Sequence, residues 1–230
     1  MDYMQHLSKD KKLRKIIASQ NPIELKTRSN VCLRLCASIM SQQLSTKVAE
    51  VIFNRFLQLF GEHEPTPQQI ASTSHEALRS IGLSSAKADY TINVANFILE
   101  HRLHDDSFHS MTDEEIINLL TQIKGVGRWT VEMLLMFTLG REDVFAPDDY
   151  GIQTSMAKLY RLDPTNKERT DAKNVDDCFE VVALQNLRVY ALVALERYAT
   201  RLMNFSSYLL HLTELKYAAA PLRTSSGMMI

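Results

Sequence analysis

Two adjacent carboxylates, Asp148 and Asp149, follow a proline in Ala146-Pro147-Asp148-Asp149-Tyr150. About one helix earlier the chain reads Gln122-Ile123-Lys124-Gly125-Val126-Gly127-Arg128-Trp129-Thr130. A carboxylate held in a partly dry cleft can stabilise positive charge that builds up as a bond breaks, and can orient an attacking water. Asp after Pro in a loop is also the ordinary N-cap of a following helix, here 151–159, and spacing alone favours that bland role. The Gly-x-Gly segment carries a different chemistry. Gly125 and Gly127 lack a Cβ and can take positive φ, so the turn is tight and its backbone can press against another molecule. A helix starting at Arg128 presents unpaired N–H groups at the positive end of its dipole, an anion site suited to a phosphate.

These residues must be held by helices. Thr112 and Glu115 have the spacing of a capping box, followed by an apolar face of Ile116, Leu119 and Leu120. Helical spacing recurs along most of the chain and period-two alternation is scarce. The pattern predicts helices at Leu13–Ala18, Arg34–Met40, Lys47–Phe60, Pro67–Ala71, His75–Ile81, Ser85–His101, Asp113–Thr121, Arg128–Leu139 and Gly151–Leu159. Gly61 to Pro67 is a breaker, and Gln42, Gln43 and Leu44 interrupt the helical pattern before Lys47. The expectation is an all-α protein of two helical lobes, with the Gly-x-Gly hairpin and Asp149 at the mouth of the cleft between them.

Composition narrows the partners. With 230 residues, 45% of them hydrophobic, the chain can bury a sizeable core. A net charge of −1 argues against a broad electrostatic grip on nucleic acid, an objection that a hairpin binding phosphate through backbone amides relaxes. No signal peptide or membrane-spanning run is visible, so a soluble intracellular protein is expected, in the cytoplasm of a bacterium or the nucleus of a eukaryote. Cys32 and Cys36 lie one helical turn apart among Val31, Leu33, Leu35 and Ile39, while Cys178 stands alone; all three read as buried or isolated thiols. Of the histidines, His63, His75, His101, His104 and His109 fall in polar stretches and none has metal-ligand spacing.

Helix, Gly-hydrophobic-Gly hairpin, helix and a following Gly/Pro loop (Gly140, Pro147) ending at Asp149 resemble the helix-hairpin-helix DNA glycosylases. Gly-Arg-Trp-Thr, Asp-Val-Phe and Pro-Asp-Asp-Tyr are most similar to the 3-methyladenine DNA glycosylase II branch. Ile39-Met40-Ser41-Gln42-Gln43-Leu44-Ser45 matches that branch's Gln-Gln-Leu-Ser signature. Leu78-Arg79-Ser80-Ile81-Gly82-Leu83-Ser84-Ser85-Ala86-Lys87 matches its first, degenerate hairpin. The resemblance runs from about Arg14 to Pro164 and implies residues 1–164 as the catalytic region, with the hairpin at 112–139 and the catalytic loop at 140–150. The family's larger members add an N-terminal β domain, which this chain, starting so near Gln42, is expected to lack.

The resemblance also implies roles. It selects Asp149 over Asp148 as the catalytic carboxylate. Trp129 stands where strand-cutting relatives carry a Schiff-base Lys, which implies a monofunctional enzyme that hydrolyses the base and leaves an abasic site. Trp129 and Tyr150 would stack on a flipped, cationic alkylated purine, and Met133 would complete a pocket wall, although a lone Trp and a Met at helical spacing equally suit core packing. Gln43, or next to it Leu44, would fill the gap left by the flipped nucleotide. Gln42 and Ser45 flank them; from the residues alone, the stretch also reads as a loop cap leading into Ser45, with Lys47 as a solvated charge. Lys124, Gly125, Val126, Gly127, Arg128 and Thr130 would bind the DNA backbone, Lys124 replacing the usual Pro. The carbonyls of Thr121, Ile123 and Val126 are where the family's hairpin holds a monovalent cation. No cofactor is otherwise required, and three scattered cysteines cannot hold the four-cysteine iron–sulfur cluster of some relatives.

The tail departs from the family. A final helix patterned Trp-x-Pro-Tyr-Arg-Thr/Ser-Tyr-Ala is expected, and the chain has Val181-Val182-Ala183-Leu184-Gln185-Asn186-Leu187-Arg188. With permitted synonymous codons, reading Lys173 to Val189 one nucleotide later gives Lys-Met-Leu-Met-Ile-Ala-Ser-Lys-Trp-Ser-Pro-Tyr-Arg-Thr-Tyr-Ala-Cys, which contains the missing motif. Segment 165–230 is therefore read as frameshifted or as a sequence error; the alternative is a divergent tail with Leu184, Leu187, Ala191, Leu192 and Leu195 on one helix face. The expected function is removal of alkylated purines from damaged double-stranded DNA in base excision repair by a monomer. A glycosylase for another lesion, or a non-catalytic DNA-binding module using the hairpin as a phosphate clamp, are the competing readings.

Overall fold

The computed structural model describes residues 8–18, 25–146, 148–149 and 159–160. Among them the chain is helical and has no strand. The helices are α1 (Lys11–Ile17), α2 (Val31–Ser41), α3 (Thr46–Gln58), α4 (Pro67–Ala71), α5 (His75–Ser80), α6 (Ser85–Glu100), α7 (Asp105–His109), α8 (Asp113–Leu120) and α9 (Arg128–Phe137). Of the predicted Gly151–Leu159 helix only Leu159 is described, in helical conformation, and the rest of it and the whole of segment 165–230 lie outside the described residues.

Helix α2 is the axis of the fold. Every residue from Val31 to Ser41 except Arg34 is buried, the pattern of a helix surrounded by others. It packs against α3, α6 and α9. Its start is fixed from two sides. Asn30, in left-handed backbone (φ 63), accepts the Leu33 N–H on its side chain, and the Asp105 carboxylate accepts the N–H groups of Asn30 and Val31 at 2.5 and 3.0 Å. A carboxylate at a helix N-terminus satisfies orphan donors and complements the dipole. The helix thus begins at Val31, three residues before the predicted Arg34, because a cap distant in sequence stabilises the extra turn.

Cys32 and Cys36 are buried free thiols on this axis. The Cys36 Sγ donates to the Thr91 carbonyl of α6 at 3.8 Å, and its contact with Cys32 together with burial pushes its thiol pKa up. They serve as small apolar groups, as the sequence indicated. Helix α7 was not anticipated: His104–His109 reads as polar surface, but Phe108 within it is 1% exposed and anchors the turn to the core. Helices α4, α5, α6 and α8 begin at side-chain caps, Thr66, Ser74, Ser84 and Thr112. Local sequence sets those boundaries.

Candidate nucleic-acid interface and catalytic loop

The hairpin is built as the sequence implied, with one correction. Thr112 and Glu115 form the capping box of α8, Thr112 N–H reaching Glu115 Oε2 at 2.7 Å. Ile123 and Val126 close a turn, the Val126 N–H donating to the Ile123 carbonyl at 3.0 Å, with Gly125 at φ 101. That positive φ at the third position of the turn calls for glycine. A side chain at Gly125 would also run into the ring of Tyr90 from α6. Gly127 differs: it is the extended N-cap of α9 (φ −95) and a Cβ there would meet nothing. Its backbone conformation does not require glycine, which is also an ordinary N-cap residue, and the open space beside it leaves room for close approach by another molecule. No side chain caps α9, leaving this end open to an anion.

Side chains around the hairpin divide by exposure. Lys124 and Arg128 are exposed, while Val126 and Thr130 are 5% and 3% exposed. The Thr130 side chain is therefore withdrawn from solvent and Val126 faces the core, so either would meet a duplex through its backbone. Arg128 is held by two carboxylates, Glu114 at 3.2 Å and, through Nε, Glu132 at 3.0 Å. Glu132 is 2% exposed, and burial pushes its carboxyl pKa up against the opposing effect of Arg128. Sequence reasoning gave Glu132 no role.

The loop that carries Asp149 is tied down at both ends. Gly140 (φ 66) lies against Thr27. Arg141, not singled out from sequence, donates to the carbonyls of Phe108 and Met111 at 3.0 and 2.9 Å and pairs with Asp113 at 3.5 Å. These bonds fasten the loop to the α7–α8 corner. At its far end Asp149 is 9% exposed, its N–H donating to the Ala146 carbonyl at 3.1 Å. Its Oδ2 accepts the Trp129 indole N–H at 2.7 Å. Asp148 beside it is exposed. Trp129 is half-buried, so one residue both orients the carboxylate and keeps part of its ring accessible. Met133, one turn on, is 2% exposed and packs in the core cluster. Pro147 and Tyr150 lie outside the described residues.

The Gln42–Ser45 loop, distant in sequence, meets the hairpin. Gln42 Nε2 donates to the Gly125 carbonyl at 3.4 Å. Gln43 is exposed in left-handed backbone (φ 57), whereas Leu44 is partly buried against the core. Ser45 is exposed, with no cap bond to α3. Of the two candidate inserting residues, Gln43 is the one whose side chain projects. A cavity of about 490 Å³ opens at the opposite end of α2, lined by Asn30, Glu64 and Asp105; Asn30 and Asp105 are engaged in capping α2. Among the described residues no group of His, Cys, Asp and Glu could hold a metal ion, and no helix is long and apolar enough to cross a membrane.

Comparison with known proteins agrees with this geometry. Residues 36–178 match the model of the HhH-GPD superfamily base excision DNA repair proteins, beyond the Pro164 at which the resemblance was expected to end. The chain is 36% identical over 154 residues to DNA-3-methyladenine glycosylase 1 of Schizosaccharomyces pombe, covering 66% of this chain and 68% of that protein. It is 36% identical over 138 residues to a putative DNA-3-methyladenine glycosylase of Bacillus subtilis, covering 57% of this chain and 47% of the other. The solved S. pombe 3-methyladenine DNA glycosylase in complex with abasic DNA superposes with a TM-score of 0.74 at 30% identity, over 87% of this chain and 97% of that one. The chain belongs to the HhH-GPD superfamily of base excision DNA repair proteins.

Proposed function

We propose that this chain is a monofunctional DNA glycosylase that hydrolytically removes alkylated purines of the 3-methyladenine and 7-methylguanine type from duplex DNA. The observation that carries it is the pairing of a nearly buried Asp149 with Trp129. The carboxylate has a fixed orientation, and the position that would hold an amine nucleophile holds an indole instead. As the N-glycosidic bond breaks, its electron pair leaves with the base and positive charge grows on the sugar. Asp149 faces that charge with one oxygen and holds the attacking water, which adds to the sugar carbon as its proton passes to the carboxylate. A purine that is already cationic needs no separate acid to depart, and the accessible part of the Trp129 ring offers it a π face.

The hairpin amides and Arg128 hold the DNA backbone, and Gln43 enters the space left by the flipped nucleotide. One chain supplies hairpin, inserting loop and carboxylate, so it acts as a monomer. A monovalent cation fits the carbonyls of Thr121, Ile123 and Val126 in donor type, and the Val126 N–H occupies only one lone pair of Ile123. When bound, it would strengthen the hairpin's attraction for a phosphate.

The test is release of free base from methylated duplex. Asp149→Asn is expected to lower it by roughly a hundredfold or more while binding to abasic-site duplex stays within about twofold, and Asp148→Asn is expected to cost far less. No base release by the wild-type protein would leave a DNA-binding module. Equal losses in the two variants would remove Asp149 from its role.

A further inference from the structure

Lys87 belongs to the degenerate first hairpin in sequence, but its side chain serves a different element. From α6 its Nζ donates to the Met40 carbonyl at 3.0 Å and to the Gln42 carbonyl at 2.6 Å. These lie at the C-terminal end of α2, where the last carbonyls have no partners within the helix and a cation is favoured. The very next residue is Gln43, whose backbone is left-handed (φ 57). Such a conformation costs a residue with a side chain and persists only where its surroundings over-determine it. Gln42, held by Lys87 through its carbonyl, uses its amide side chain to reach the Gly125 carbonyl at 3.4 Å. One turn along α6 from Lys87, Tyr90 lies against Gly125. A single helix therefore grips the inserting loop with one residue and the hairpin with the next on the same face. Lys87 is half-buried and burial lowers its pKa, consistent with an ammonium withdrawn from water into carbonyl contacts.

We propose that Lys87 is a positioning residue for nucleotide flipping: its ammonium fixes the Gln42–Ser45 loop at the distance from the hairpin at which Gln43 enters the duplex while the hairpin holds the backbone. The inference rests on the proposed reading of Gln43 as the inserting residue. It separates two properties that one lysine on a DNA-binding face would normally affect together. An intact duplex is held by the hairpin and needs no insertion, whereas a duplex with an abasic gap gains from the inserted side chain.

The experiment compares binding, at fixed salt, to an intact duplex and to the same duplex carrying a tetrahydrofuran abasic site with 2-aminopurine opposite it. Lys87→Met is expected to reduce the preference for the abasic duplex by roughly tenfold, the scale of one charge-assisted hydrogen bond, and to weaken the fluorescence change on binding. Affinity for the intact duplex should stay within about twofold. Lys87→Arg, which keeps charge and donors, should recover most of the preference. Should Lys87→Met fail to fold, Lys87→Gln, which retains a donor amide, is read by the same two affinities. An equal fall on both duplexes, or an unchanged preference, overturns the proposal. A wild-type protein that prefers the abasic duplex yet releases no alkylated base overturns only the glycosylase reading, and one with no preference overturns both.

Discussion

Trp129 meets Asp149 edge-on through its indole N–H, and that contact carries a prediction separate from stacking. Trp129→Phe keeps an aromatic face and removes the donor. A hydrogen bond to a charged acceptor contributes about 1.5–3 kcal/mol, so the excision rate should fall by about ten- to a hundredfold with lesion binding little changed. A fall in binding with an unchanged single-turnover rate would make the residue a stacking platform only. Glu132 gives a pH-dependent test. Its folded pKa lies above the ordinary 4.5 because burial outweighs Arg128. The folded state therefore binds the Glu132 proton more tightly than the unfolded chain does, and its contribution to stability is lost as pH rises through the shifted value. Glu132→Gln, which imitates the protonated acid, should gain in melting temperature relative to wild type as pH is raised from about 4 toward 8. A difference that stays flat or reverses would show that the Arg128 pair, half-exposed on the arginine side, outweighs burial.

At the scale of elements, the two hairpin glycines make opposite predictions although sequence treats them alike. Gly125 has φ 101 and no room beside Tyr90, so Gly125→Ala should destabilise the fold by roughly 2–4 kcal/mol. Gly127 is extended with open space around it. Gly127→Val should cost only the modest loss of a good N-cap residue, about 1 kcal/mol or less, and, if the α9 amides receive a phosphate as proposed, weaken binding to intact and abasic duplexes alike, since the added methyl groups would stand in its path. Normal affinity in Gly127→Val would make the hairpin a helix connector and nothing more. Sequence could not separate the pair because a Gly-x-Gly pattern states what each backbone is permitted to do, and which freedom is used depends on Tyr90, a residue from another helix.

For the whole molecule, the sharpest prediction concerns the tail. The family match stops at residue 178, inside the stretch from Lys173 to Val189 where a reading one nucleotide later yields the missing Trp-Ser-Pro-Tyr-Arg-Thr-Tyr-Ala. Restoring that frame should raise both melting temperature and excision rate, because the restored helix would supply aromatics to the base pocket beside Trp129. Sequencing the gene and assaying both versions decides it; an uninterrupted frame, or a restored protein no more stable or active, would leave divergence as the explanation. The all-α class, the capped starts of α4, α6 and α8 and the hairpin were legible in the chain because each rests on spacing within a few residues, whereas spacing alone favoured a capping role for the Asp148–Asp149 pair and only the family resemblance singled out Asp149. The tertiary structure alone decided the rest. Asp105 capping α2, Trp129 donating to Asp149, Arg141 tying down its loop and Lys87 gripping the Gln42–Ser45 loop join residues 20 to 75 positions apart. Periodicity is blind to such pairs, since a hydrogen bond depends on where folded helices bring two atoms together, and no local pattern records that distance.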